Sequence, residues 1–157
     1  MAIITGAFYH ADDAHSAVEE LLANGWTREA ISVLTAQQEP EHSPHPNLAV
    51  KDAEKGAMIG GLAGLFVVMS EIAVPGVGPI LIGGWIAATL LGAGVGAAAG
   101  GLGGLLAEAG MSQEDARSLA ERVHRGETLV IVHFATSGEQ QASVILKRHH
   151  PTHITEG

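Results

Sequence analysis

One long stretch of the sequence is almost free of charge, and it constrains the fold more than any other feature. The 52 residues from Gly56 to Ala107 contain a single charged side chain, Glu71, and all the other acidic and basic side chains lie in the flanking segments. The same stretch holds 15 of the 21 glycines, while aromatic residues make up only 4% of the chain. Because glycine has no side chain to bury, such a segment needs close backbone packing or a lipid environment. The chain therefore divides into a polar segment, an apolar insert and a second polar segment.

The first polar segment, residues 1–36, is predicted to form a β-α-β unit. Ala2–Tyr9 is a short apolar run, and the apolar residues that follow it recur at helical spacing until Gly25. Ile31–Leu34 then has the composition of a second strand. Residues 37–55 are predicted to be a linker rich in Pro and His, because prolines at this density neither pair in a sheet nor continue a helix.

The second polar segment, residues 108–157, is predicted to form a helix and a second β-α-β unit. Ser112 and Asp115 have the spacing of a capping box at the start of that helix. Thr128–Phe134 has the composition of a buried strand, and a further amphipathic helix precedes Pro151 and a short strand at 152–155. Two such units predict an α+β fold, a ferredoxin-like sandwich of four strands backed by helices, which carries the apolar stretch as an insertion.

The insert, residues 56–107, is predicted to be an α-helical hairpin. Its turn is formed by Pro75, Gly76, Val77, Gly78 and Pro79. The turn separates an arm of residues 56–74 from an arm of residues 80–107. As helices rising about 1.5 Å per residue, the arms would reach roughly 28 and 42 Å. Either arm would then cross most of a bilayer core of ~30 Å.

Small residues recur at every fourth position in both arms, which is a glycine-zipper pattern. The residues predicted to mediate helix packing and oligomerisation are Gly56, Gly60 and Gly64 in the first arm and Ala88, Gly92, Gly96, Gly100 and Gly104 in the second. Positions four apart share a helix face, so each row forms a groove that another backbone can approach closely. Each interior glycine costs an isolated helix about 1 kcal/mol relative to alanine, so these helices need packing partners or a membrane. We therefore expect a homo-oligomer.

The zipper pattern occurs in lipid and also inside soluble oligomers, and three other features bear on that choice. Lys51 and Lys55 precede the first arm as cytoplasmic flanking charges do, and Trp85 lies near one end of the second arm as interfacial tryptophans do. Glu71 near the turn would have to reach the far interface, form an ion pair or be protonated. We expect insertion in the cell membrane, with lipid contact and with both polar units in the cytoplasm. The alternative is a cytoplasmic, soluble particle or filament with the hairpins buried in its core.

The composition excludes several classes of function. Eight basic and seventeen acidic side chains give a net charge of −9, which argues against nucleic acid as a partner because phosphates require a basic surface. The chain has no cysteine, which excludes disulfides, Cys-ligated zinc and thiol catalysis. No phosphate-binding loop or nucleophile elbow is recognisable. We expect a non-enzymatic protein without a cofactor.

Nine histidines in an acidic chain make a metal- or ligand-binding module a further alternative. His149, His150 and His153 are the weak candidates for metal ligands, but Pro151 interrupts the helix that would bring two of them onto one face. Metal ligation requires three or four groups that converge at about 2 Å, and no spacing in the chain imposes this. We expect these histidines to be solvated and the chain to hold no metal.

Short motifs along nearly the whole chain carry a family resemblance. They are Ala7-Phe8, Gly25, Ile31–Leu34, Pro75–Ile80, Gly126–His133 and Ile145–His149. In this order they resemble a bacterial family of general-stress and low-temperature-induced proteins. The resemblance implies a stress-related, membrane-associated protein with no established enzymatic activity and no catalytic residues. Combined with the glycine rows, it predicts a self-assembling protein of the stress response.

Overall fold

The protein is α+β, and its central element is a six-stranded antiparallel sheet. The computed structural model describes residues 2–36, 69–74, 78–87, 96–134 and 138–156. The elements in chain order are β1 (Ala2–Phe8), α1 (Ala11–Ala23), a 3₁₀ helix (Arg28–Ala30), β2 (Ile31–Ala36), β3 (Met69–Val74), β4 (Gly78–Gly84), α2 (Gly96–Glu108), α3 (Gln113–His124), β5 (Thr128–Phe134), α4 (Glu139–Arg148) and β6 (His153–Glu156). The strands and helices predicted in both polar segments are therefore present, whereas the predicted linker at 37–55 lies outside the described residues.

The two polar segments interleave within the sheet. The strand order is β3-β4-β2-β5-β1-β6, and each neighbouring pair is antiparallel. β5 lies between β1 and β2, the strands that α1 connects, and β1 lies between β5 and β6, the strands that α4 connects. Each β-α-β unit thus encloses one strand of the other.

Helices cover both faces of the sheet and create two hydrophobic cores. In β5, Val130 and Val132 enter the core beneath α1 and α4, while Leu129 and Ile131 enter the core beneath α2 and α3. All four side chains are fully buried. Side chains of a strand alternate between the two faces of a sheet, so a strand that is covered on both faces is apolar at every position. This explains the uninterrupted apolar run Leu129–Val132 within β5.

Local signals set the ends of the helices. The side-chain oxygen of Ser112 accepts a hydrogen bond from the backbone N–H of Asp115 at 3.1 Å, which confirms the predicted cap of α3. Gly25 follows α1 with a φ of 91°. Its N–H donates to the Leu22 carbonyl, and the N–H of Trp26 donates to the Leu21 carbonyl. These two bonds form a Schellman motif, and the left-handed conformation that it needs favours glycine.

The described part of the insert contains a β-hairpin, so the prediction of two continuous helical arms is wrong. β3 and β4 pair antiparallel across the predicted turn; Gly78 and Pro79 belong to β4, and Pro75 and Gly76 lie outside the described residues. β4 also pairs with β2, and this pairing provides hydrogen-bond partners for backbone groups that both strands would otherwise leave unsatisfied. Ile80 and Ile82 are fully buried beneath α2 and α3. Strand pairing and core burial together outweigh the helical spacing of the small residues.

The predicted glycine rows lie only partly in the described residues. The members outside them are Gly56, Gly60, Gly64, Ala88 and Gly92. Gly96, Gly100 and Gly104 lie in α2, but Gly101 has a φ of 58° and a ψ of −158°. This conformation is not helical and interrupts α2 between Gly100 and Gly104. The second row therefore does not run along one regular helix, which corrects the prediction.

Candidate functional site

The outer edge of β3 is the end of the sheet that the apolar insert supplies. β3 pairs with β4 on one side, and no strand of the described segments pairs with its other side. Its sequence, Met69–Val74, contains one charge and no proline. An apolar edge strand exposes N–H and C=O groups to which another strand can add, and proteins usually block such edges with charges, proline or short strands. β3 therefore has the properties of a surface for strand addition.

The opposite edge of the sheet, β6, has the features that block strand addition. It has only four residues, His153–Glu156. The Glu156 carboxylate lies 3.7 Å from the Lys147 ammonium group and accepts a hydrogen bond from the Ser143 hydroxyl at 3.1 Å. A short edge strand with a charged end disfavours pairing with a second chain. Within the described part of the sheet, the two edge strands thus differ in length, since β3 has six residues and β6 has four.

Small residues of α2 pack against α3 of the same chain. A Cβ at Gly103 would lie 3.8 Å from the Ala116 carbonyl oxygen and 3.9 Å from the Ala120 Cβ. Leu105 and Leu106, which follow in α2, are buried in the same core. This part of the glycine-rich segment therefore contributes to intramolecular helix packing. No helix in the described part of the chain combines the length and the apolar content needed to cross a bilayer.

Trp85, which the sequence places near one end of a helical arm, follows β4 and contacts the main sheet. Its ring lies edge-on to the ring of His133 in β5, with 4.8 Å between the ring centroids. Residues 85–87 are helical. The side chain of Glu71, the one charge of the insert, lies outside what the structure describes. Within the described residues, Trp85 thus contributes to a protein contact.

His149, one of the predicted weak metal candidates, lies in a polar cluster that joins the ends of α1 and α4. Its Nε2 is 2.6 Å from Oε2 of Glu20, and Nη1 of Arg148 is 2.7 Å from Oε1 of the same carboxylate. An ionised carboxylate only accepts hydrogen bonds, so Nε2 of His149 carries the proton. The hydrogen bond from His149 lowers the pKa of Glu20, partial burial opposes this shift, and Arg148 lowers the pKa further. The cluster is an electrostatic contact between two helices.

The stability of the protein is expected to fall in acid through Glu20. The folded state lowers the pKa of this carboxyl group. Its contribution to the free energy of unfolding is therefore complete above the ordinary pKa and is lost as the pH falls through the lowered pKa. The Glu20→Gln variant should therefore show a weaker dependence of the urea unfolding midpoint on pH in this acidic range. Glu121→Gln, at an exposed position of α3, is the control and should retain the wild-type dependence. Equal pH profiles for wild type and Glu20→Gln would contradict the contact.

The other two metal candidates do not converge with His149. His150 follows it with a φ of 53°, and His153 belongs to β6, where it pairs with Ala7. Across residues 2–36, 69–74, 78–87, 96–134 and 138–156, no three His, Asp or Glu side chains are close enough to hold a metal ion. The geometry of the described histidines thus gives no support to a metal site.

A buried carboxylate that the sequence does not reveal ties the end of α3 to the loop before β6. Oε2 of Glu127 lies 3.4 Å from Nη1 of Arg122, and Oε1 of Glu127 lies 3.7 Å from Nη2 of Arg125. The Thr152 hydroxyl donates to the same carboxylate, and the Thr152 N–H donates to the Ala7 carbonyl at 2.8 Å. The side chain of Glu127 is only 8% exposed. The arrangement satisfies a buried charge and holds three segments together.

A small cavity lies between β1, β6 and the start of α3. It is lined by Ile3, Thr5, Met111, Asp115 and Thr155 and has a volume of about 10 Å³. That volume matches about one water molecule and is far below that of a metabolite. The cavity is therefore unsuited to a substrate.

The sequence does contain a signal for the missed β-hairpin. Ile72, Val74, Ile80 and Ile82 are β-branched residues at alternate positions on either side of a turn rich in Pro and Gly. This pattern is typical of two paired strands. The partners of Glu20 leave no such signal, because His149 is 129 residues from Glu20 along the chain.

Comparison with known proteins does not identify a relative. No protein-family model, curated protein or solved structure matches the chain. The function is therefore inferred from the described residues and the sequence.

Proposed function

We propose that this protein is a non-enzymatic, stress-related protein that assembles into homo-oligomers through its apolar insert. The observation that carries the proposal is the outer edge of β3, which has one charged residue, no proline and no paired strand within the described residues. The insert also supplies Gly96 and Gly100 on the part of α2 that precedes its interruption at Gly101. An edge strand without proline and with few charges, and a row of small residues, are both features that allow close approach of a second backbone.

The arrangement of the polar segments supports a ferredoxin-like sandwich as the framework of this assembly. The strand order β2-β5-β1-β6, with α1 and α4 packed on one face, is the order expected when two β-α-β units combine in that fold. The insert would then add β3 and β4 beside β2, and α2 would pack with α3 on the other face. In this proposal, the edge that assembles is β3, at one end of the sheet.

The proposal has two versions, which differ in whether lipid or protein surrounds the insert. In the first, the insert assembles in or at a membrane and the polar units remain in the cytoplasm, as the resemblance and the length of the apolar stretch imply. In the second, the oligomer is soluble and the insert is buried by protein. The complete burial of Ile80 and Ile82 within the core of the α+β domain favours the second version.

The oligomeric state with and without detergent is the decisive measurement. We expect the wild-type protein to form an assembly in analytical ultracentrifugation. Recovery of that assembly in the supernatant without detergent would support the soluble version, and recovery only with membranes or detergent would support the membrane version. A monomer in both conditions would contradict the proposal.

Two variants are expected to weaken the assembly about tenfold or more, which corresponds to a loss of about 1.4 kcal/mol per interface. Ala73→Lys adds a charge to β3 at the position that pairs with the half-buried Pro79, and the double variant Gly96→Leu with Gly100→Leu fills the row of small residues. Gln141→Lys, which adds the same charge at an exposed position of α4, is the matched control and should assemble like the wild type. Unchanged assembly in both test variants would exclude the insert as the interface.

A further inference from the structure

The end of α1 carries an asparagine followed by glycine, a pair prone to spontaneous reaction. Asn24 is exposed, and Gly25 has no side chain that would hinder attack by its backbone nitrogen. The chain contains one other asparagine, Asn47, which precedes the bulky Leu48. By sequence, Asn24 is therefore more prone to deamidation than Asn47.

The folded structure opposes that reaction at both nitrogens that take part in it and through the backbone torsion of Asn24. The Gly25 nitrogen, which would be the nucleophile, donates its hydrogen to the Leu22 carbonyl at 3.1 Å. The Asn24 side-chain nitrogen, which would leave, donates to the Glu20 carbonyl at 2.8 Å. Ring closure requires the Asn24 Cβ and the Gly25 nitrogen to be eclipsed about the Cα–C bond of Asn24. The ψ of 13° at Asn24 keeps these two atoms rotated well away from that arrangement.

The same contacts hold the helix end in place. The Schellman motif at Gly25 fixes the backbone, and Trp26 anchors the next residue by packing edge-on against Phe134, with 6.2 Å between the ring centroids. A Cβ at Gly138 would clash with the Trp26 ring, so that ring lies directly against the start of α4. The reactive conformation at Asn24 thus requires this end of α1 to open.

We propose that Asn24 is a deamidation site that the folded end of α1 suppresses, so that the reaction proceeds only through opening of this helix end. The Gly25 nitrogen forms a bond to Asn24 Cγ, the Cγ–Nδ2 bond breaks, and ammonia leaves with the proton from the Gly25 N–H. Water then adds to either carbonyl of the five-membered imide. Ring opening yields an aspartyl or an isoaspartyl residue at position 24.

Deamidation would weaken the helix end that had suppressed it. The new carboxylate cannot donate to the Glu20 carbonyl, which loses the side-chain bond that it accepts from Asn24. It would also place a negative charge at the C-terminus of α1, where the helix dipole disfavours it, and one turn from the Glu20 side chain. The modified protein should therefore open at this end more readily than the original.

The test is the rate of deamidation at Asn24 in the full chain, measured by peptide mass spectrometry with isoaspartate detection. Under mildly alkaline conditions, the folded protein should react at least about tenfold more slowly than the same chain unfolded in urea, because local opening limits the rate. Asn47 is the internal control and should react slowly in urea. In the Trp26→Ala variant, the rate in the folded state should rise several-fold while the rate in urea stays unchanged.

Two results would overturn the proposal. Equal rates at Asn24 in the folded and the unfolded wild type would show that the helix end does not suppress the reaction. No product at Asn24 in urea would show that the site is not reactive. Because both comparisons use the wild-type chain, they decide the matter even if Trp26→Ala fails to fold.

Discussion

The Gly84→Ala variant is expected to lose about 3–5 kcal/mol of stability, a large share of the ~5–15 kcal/mol that a native domain has. Gly84 ends β4 with a φ of 90°, a conformation that is strained for any residue with a side chain. A Cβ there would overlap the Ile31 carbonyl oxygen and lie 2.7 Å from the Ser32 Cα. Both neighbours belong to β2 at the centre of the sheet and cannot move without disrupting its pairing. The measurement is the free energy of urea unfolding, or the soluble yield if the variant does not fold.

Variants at two other glycines distinguish the backbone strain at Gly84 from the steric overlap of the added Cβ. Gly25 has a φ of 91° but open space around its Cβ position, so Gly25→Ala should lose only about 1–2 kcal/mol. Gly103 lies in α2 with ordinary contact distances, and Gly103→Ala should leave stability unchanged or raise it by up to about 1 kcal/mol. If Gly84→Ala were as stable as Gly103→Ala, the described approach of β4 to β2 would be wrong.

The effect of Gly84 reaches the segment that follows it. The backbone N–H of Ile86 donates to the Ser32 hydroxyl at 3.2 Å, which connects residues 85–87 to β2. Ile86 is buried in the core beneath α2 and α3. The close approach of Gly84 to β2 therefore lies directly before the helical residues 85–87, which β2 also contacts.

The Arg122→Ala variant is expected to lose about 3 kcal/mol, because it leaves the Glu127 carboxylate buried without its better-shielded cation. Arg122 is 19% exposed and Glu127 is 8% exposed, so water replaces the lost partner poorly. The Thr152 hydroxyl remains as a donor but carries no charge. Chemical denaturation at neutral pH measures the loss.

The neighbouring arginine provides a matched control for this prediction. Arg125 contacts the other oxygen of Glu127 at 3.7 Å but is 61% exposed. Arg125→Ala should cost less than about 1 kcal/mol, as exposed ion pairs do. In the double variant Arg122→Ala with Glu127→Gln, removal of the buried charge should recover part of the loss. Equal losses for the two single arginine variants would contradict a buried ion pair.

Local signals in the sequence determine much of the polar segments. The cap at Ser112 and the stop at Gly25 depend on residues within one helical turn, and the apolar run Thr128–Phe134 directly reflects burial on two faces. Such features can be recognised without knowing the fold. The α+β class follows from their order along the chain.

The apolar insert could not be assigned in the same way. Its small and β-branched residues are compatible with a helix that has small residues along one face, and also with strands. Pairing with β2, in which Ser32 lies opposite Gly84, decides in favour of the strand at β4. The partner strand lies far away in the sequence, so no local window contains the deciding interaction. The polar cluster at Glu20 has the same origin, and so does the bond from Thr152 to Glu127, whereas the two arginines that contact Glu127 lie within five residues of it.

The interleaving of the two β-α-β units has a consequence for the order in which the protein can fold during synthesis. β1 and β2 leave the ribosome first, but β5, the strand that lies between them, is made only after the entire apolar insert. The sheet is therefore closed by contacts between distant parts of the chain, which form slowly. Until β5 emerges, the core that buries Ile80 and Ile82 lacks Leu129 and Ile131, the members that β5 supplies. The nascent chain thus passes through a stage in which the apolar side chains of β4 have only part of their final core around them, and exposed apolar surface of this kind favours aggregation.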